Sequence, residues 1–108
     1  MKGVAMRGRE AKIIDIVDHT LSQLGESVKI ALYWHLENEF KIKKEDIPKK
    51  PRDFMKALEA IYGTGAIILE QMIVGQIVEE LGIESKAKSF PDVVKEAKKQ
   101  RKGRFLNL

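Results

Sequence analysis

Apolar positions recur along most of the chain at intervals of three and four, the period of an α-helix. Nowhere do they alternate with period two for long enough to predict a strand. The first stripe, Ile13, Ile14, Val17, Leu21 and Leu24, predicts a helix over residues 9–24, with Gly25 where a C-cap glycine belongs. A second helix follows almost at once over 27–40, its apolar face read as Val28, Ala31, Leu32, His35 and Leu36. So short a connection makes these two helices neighbours. The segment KIKKEDIPKKP, residues 41–51, holds two prolines and five lysines and breaks the pattern, which predicts the main loop, pinned by Ile42 and Ile47.

A third helix is predicted over 52–62 from the stripe Phe54, Ala57, Leu58 and Ile61; Gly63 ends it and Thr64 is placed to cap the next. The fourth, over 65–81, is apolar on more of its circumference than the others, with Ala66, Ile67, Ile73, Val74, Ile77, Val78 and Leu81 as its main face. It is the predicted central helix, stopped by Gly82 and Ile83 in the manner of a Schellman motif. A fifth opens with the capping pattern Ser89-Phe90-Pro91-Asp92 and carries Phe90, Val93, Val94 and Ala97 before its stripe stops. The expectation is an all-α fold: a compact bundle of four to five helices over 9–97, preceded by a flexible N-terminus, 1–8, and followed by a basic and apolar C-terminal tail, 98–108.

A chain of 108 residues builds one modest core, and 44% hydrophobic with 33% charged residues is the balance of a globular domain, not a disordered one. With no cysteine, disulfides, thiolate nucleophiles and Cys-ligated zinc are excluded. The charged, glycine-broken start MKGVAMRGRE has no apolar region of the secretory type, so the protein is expected in the cytoplasm. The most apolar run, AIILEQMIVGQIV, is interrupted by Glu70, Gln71 and Gln76 and is shorter than the roughly 20 residues of a membrane span, so no membrane partner is expected.

Two polar residues interrupt predicted core faces: His35 in the second helix and Glu70 in the middle of the fourth. A buried carboxylate is costly without a partner. One reading therefore pairs His35 with Glu70 as a contact that sets helix register; the plainer reading places His35 at a satisfied boundary and Glu70 at an open edge. No nucleophile, oxyanion-type glycine turn or third orienting group accompanies them, so the protein is expected not to be an enzyme. Asp15, Asp18 and His19 cluster on the first helix, and His35 with Glu39 stand one turn apart on the second, yet without a HExxH motif these read as solvated faces. Only their convergence in space would support a metal enzyme. The turn Gly63-Thr64-Gly65 lacks the remainder of a phosphate loop, and no cofactor is implied.

Charge is distributed unevenly. From Lys86 to Arg104, eight Lys and Arg face only Asp92 and Glu96, giving this segment +6 where the whole chain carries +4. Lys98, Lys99, Arg101, Lys102 and Arg104 fall within about three helical turns, a density suited to phosphate contacts through counterion release. Beyond them Phe105 and Leu106 are too apolar to be indifferent to water, and Ile30 with Trp34 forms a second apolar edge on the second helix. These four residues are the candidate interaction edge.

The block from Leu24 to Ile83 also resembles a known family. Leu24-Gly25-Glu26-Ser27-Val28, the aromatic-His-Leu-Glu run Trp34 to Glu37, the Ile47-Pro48 loop and the turn Tyr62-Gly63-Thr64-Gly65-Ala66 are similar to the small archaeal module called the Nitrosopumilus output domain, fifth type. That resemblance implies a helical output or interaction element, found alone or beside signalling and DNA-binding modules, with no catalytic residues to carry over. This sequence departs from it in showing no receiver or winged-helix segment, and its basic run lies outside the similar block. The functional expectation is a non-enzymatic regulatory or signal-transduction module that binds a protein partner or itself. The alternative is a small nucleic-acid-binding protein using the basic tail.

Overall fold

The computed structural model describes residues 8–106, and from residue 100 onward the backbone alone. Five helices occur among the described residues: α1 Gly8–Ser22, α2 Glu26–Glu39, α3 Pro51–Tyr62, α4 Gly65–Leu81 and α5 Phe90–Leu106, with a 3-10 turn Lys44–Asp46 between α2 and α3. The all-α bundle read from periodicity is the fold. The expected flexible N-terminus lies outside the described residues except for Gly8, which begins α1. The expected tail boundary at residue 98 does not coincide with the end of an element, because α5 runs through it.

Helix α4 is central: it packs on α1, α3 and α5, whereas α2 packs chiefly on α1. The core gathers Ile13, Val17 and Leu21 of α1, Phe54, Ala57 and Leu58 of α3, Ile73 and Ile77 of α4, and Phe90, Val93 and Ala97 of α5, all fully buried. Phe54 and Phe90 meet at a ring-centroid distance of 5.2 Å with the planes tilted by 58°, a favourable aromatic arrangement. Ile42 and Ile47 pin the 41–51 loop as expected, both buried.

Helix ends follow local chemistry. Pro51 sits at the first turn of α3, where its missing N–H costs nothing. Gly82 closes α4 in the left-handed region at φ 62°, and the Ile83 N–H reaches back to the Val78 carbonyl at 3.3 Å, completing the Schellman pattern. Ser89 Oγ accepts the Asp92 N–H at 3.3 Å at the start of α5. Thr64, in contrast, makes no side-chain cap; it adopts a helical conformation after Gly63, whose φ of 61° turns the chain between α3 and α4.

Three predicted faces are rotated from their observed ones. Leu24 lies beyond the end of α1 and is exposed, while Ile16 is buried in its stead and Ile14 is half-buried. In α2 only Leu32 and Leu36 are buried; Val28 and Ala31 face outward, because the helix rests on one neighbour along one narrow strip. In α4 the buried set is Ala66, Leu69, Ile73, Val74 and Ile77, and Ile67 points to solvent. A helix apolar around most of its circumference does not specify from periodicity which side its neighbours will occupy.

Candidate functional site: the apolar face of α2 and α4

The peripheral placement of α2 leaves apolar side chains uncovered on both flanks of its buried strip. Ile30 is 63% and Trp34 57% exposed, and across the cleft Ile68 of α4 is 68% exposed. Between the two helices runs a groove of about 240 Å³ lined by Leu24, Val28, Tyr62, Gly65, Ile68 and Met72, with Leu69 at its base. On the other flank of α2 a shallower concavity of about 470 Å³ is lined by Ser27, Ile30, Ala31, Trp34 and His35. The two depressions share α2 as their common wall, so the apolar surface continues from α4 across the groove and over α2. Burial against these neighbours holds the Tyr62 hydroxyl above its ordinary pKa.

A polar node fixes α2 in this position. The Asp18 carboxylate of α1 accepts hydrogen bonds from Tyr33 Oη at 2.9 Å and Lys29 Nζ at 3.2 Å, and pairs with Lys44 Nζ at 3.1 Å. Lys29 Nζ also donates to Ser22 Oγ at 2.8 Å and lies 3.4 Å from Glu26 Oε1. Lys44 stands over the Tyr33 ring at 5.4 Å from its centroid. Burial pushes the Asp18 carboxyl up, but the bonds from Lys44, Tyr33 and Lys29 outweigh it and hold its pKa below the ordinary carboxylate value. Burial, and then the bond to Asp18, raises the Tyr33 phenol well above its usual range. Partial desolvation works to lower the Lys29 ammonium, yet Asp18 and Glu26 overcome it and the group stays above its ordinary value.

The two polar intruders find separate partners. Glu70 Oε2 accepts the backbone N–H of Phe90 at 2.7 Å, so this carboxylate caps the N-terminus of α5, where an anion also meets the positive end of the helix dipole. Its neighbour Gln71 donates to the Lys88 carbonyl at 2.7 Å, and together they tie the 83–89 connection to α4. His35 Nδ1 lies 3.1 Å from Glu39 Oε2 on the same helix, within ion-pair range, but the atom is enclosed and the approach is out of line for a hydrogen bond. Its ring meets Trp34 edge-on at 5.2 Å. Of the two readings, the His35–Glu70 pair is not formed: His35 faces Glu39 one turn away on its own helix, and Glu70 takes its donor from α5.

Among the described residues no three His, Cys, Asp or Glu side chains converge as metal ligands, and Asp18 is committed to its cations. Asp15, His19, His35 and Glu39 are therefore not brought together. On the basic side, Lys98 is drawn inward: its Nζ donates to the Pro48 carbonyl at 3.0 Å and pairs with Glu10 Oε2 at 3.2 Å. Lys99 is exposed. The side chains of Arg101, Lys102, Arg104, Phe105 and Leu106 lie outside the described residues, so their parts in phosphate contact or in the apolar edge are not placed.

Among the described residues no helix is long and apolar enough to cross a membrane. Compared with protein-family models, with curated proteins and with solved structures, the chain has no match.

Proposed function

We propose that the protein is a non-enzymatic interaction module of the regulatory-output kind, working in the cytoplasm by docking its α2/α4 apolar face on a protein surface. The observation that carries this reading is the exposure of Ile68, which lines the apolar groove between α2 and α4, together with Ile30 and Trp34, which line the concavity over α2, each more than half exposed. Scattered exposed apolar residues are ordinary, but a contiguous patch rimmed by polar groups marks an interaction surface. Trp and Ile anchors beside a groove are the elements from which interface cores are made. The test is a photo-crosslinking residue placed at Ile68 or Ile30 and, as control, at the exposed Lys12 of α1. Discrete higher-mass adducts from the two patch positions and none from Lys12 are the expected result; absence of adducts from the patch sinks the reading.

One contact favours a second reading, nucleic-acid binding. The Lys98 to Pro48 bond brings the 41–51 loop, which carries the exposed Lys49 and Lys50, against α5, which carries the exposed Lys99. Two basic segments far apart in sequence thereby join in one field, although Glu10 neutralises part of it. Fluorescence anisotropy of labelled duplex and single-stranded nucleic acid at low and near-physiological salt tests this. Phosphate-driven binding falls steeply with salt and weakens in both Lys50→Gln and Lys99→Gln, while apolar docking is nearly indifferent to salt.

A further inference from the structure

The apolar face raises the question of what covers it, and its area and relief both bear on the answer. Side chains of this size expose about 150–250 Å² when free, so the exposed fractions of Leu24, Val28, Ile30, Trp34, Tyr62 and Ile68 amount to roughly 600 Å². Ala31 and Met72 add to that. The largest apolar patch on a typical monomer is about 300–600 Å², and each side of a standard protein interface buries about 800 Å². The face is thus at the upper limit for a lone chain and close to one half of a stable interface.

Relief narrows the choice of occupant. The face offers Ile30 and Trp34, both more than half exposed on the outer side of α2, and a groove between α2 and α4. A two-fold axis places the same surface opposite itself, so that residue i meets residue j and j meets i. An exposed anchor and a groove on one face satisfy that requirement twice over, Trp34 of each copy entering the groove of the other. Small residues, Gly65 in the groove and Ala31 on α2, leave room for such an approach.

From these observations we infer that the α2/α4 face is the interface of a symmetric homodimer, in which Trp34 of each chain fills the groove lined by Leu24, Val28, Tyr62 and Ile68 of the other. This rests on the interaction-module reading and names its partner as a second copy of the same chain. Because the protein has a single tryptophan, the interface carries its own reporter.

Sedimentation equilibrium of the full chain, with Trp34 emission followed over the same dilution series, tests the inference. The expected result is a species of twice 12.3 kDa at micromolar concentration. Trp34 emission shifts to the red on dilution in step with the fall in mass. Ile68→Glu and Ile30→Glu, both at well-exposed positions, retain helix content by circular dichroism and weaken association by at least about 100-fold, since each buries an unpaired charge in the interface. A single-chain mass up to about 100 µM overturns the inference. So does a dimer whose affinity neither variant changes. Crosslinking from Ile68 separates this failure from that of the parent reading. An adduct of twice the chain mass supports the homodimer, and adducts of only other masses overturn it but keep the module. No adduct of any kind removes both.

Discussion

Replacing Asp18 by alanine removes the acceptor on which Tyr33, Lys29 and Lys44 converge, and with it the polar attachment of α2 to α1. The magnitude follows from exposure. The Asp18 side chain is 27% and the Lys44 side chain 46% exposed, so solvent screening reduces the two lysine contacts to about 0.5 kcal/mol each. The Tyr33 bond is part-buried, and leaving that hydroxyl without an acceptor costs about 1–2 kcal/mol. Asp18→Ala is therefore expected to lose about 2–3 kcal/mol in denaturant unfolding, or on the order of 10–20 °C in Tm for a chain of this size. Asp18→Asn, which keeps an acceptor for Tyr33 but not the charge, loses about 1 kcal/mol.

The loss is also expected to be local. Helix α2 buries only Leu32 and Leu36, so native-state hydrogen exchange should show its amides losing more protection than those of α4. The pH dependence has a definite sign. The folded carboxyl of Asp18 titrates below its ordinary value of 3.8, so its contribution is complete above that pH and is lost as pH falls through the lower folded value. The gap between wild type and Asp18→Ala should be constant from about pH 5 to 8 and narrow in stronger acid. A loss below about 0.5 kcal/mol, or a gap that persists undiminished in acid, refutes the reasoning.

Glu70→Ala removes the cap on the first N–H of α5 and should cost about 1–2 kcal/mol, with faster exchange confined to the start of α5; Glu70→Gln, which keeps an acceptor, recovers part of it. Phe54→Ala opens a cavity against Phe90 in the centre of the bundle and should cost about 3–5 kcal/mol in chemical denaturation. Gly82→Ala forces a side chain into the left-handed conformation at φ 62° and should lower stability by about 1–2 kcal/mol, while Gly75→Ala, at an exposed position inside α4 with open space around its Cβ, should raise it by about 0.5–1 kcal/mol.

Glu70 shows how sequence distance hides a contact. Its partner, the Phe90 N–H, lies 20 residues away and belongs to the backbone, so no side-chain pattern advertises it. The conflict was legible, since a carboxylate in an apolar row must find a donor. Its resolution required α5 to cross α4 at that point. Likewise Asp18 sat in a visible acidic cluster on α1, but the convergence of Tyr33 and Lys44 on it depends on how α2 and the 41–51 loop fold back. The Ile30 and Trp34 edge was legible as an off-row pair on α2, whereas the α4 half of the face was not, because periodicity puts the exposed Ile67 on the core side and does not single out Ile68.

What the sequence determined by itself is the set of elements: helical period, breaking glycines and prolines, and the Ser89 and Gly82 end signals are local properties of a few consecutive residues, and local energetics fixes them. The core of α5 was equally readable, since Phe90, Val93, Val94 and Ala97 form one narrow stripe with no competing face. What only the tertiary structure decided is which side of α2 and α4 meets a neighbour. Both helices carry more apolar positions than one buried strip accommodates, so periodicity leaves several faces nearly equivalent. Packing chooses among them by filling the shared core first, and the apolar residues left over become the surface on which the proposed function rests.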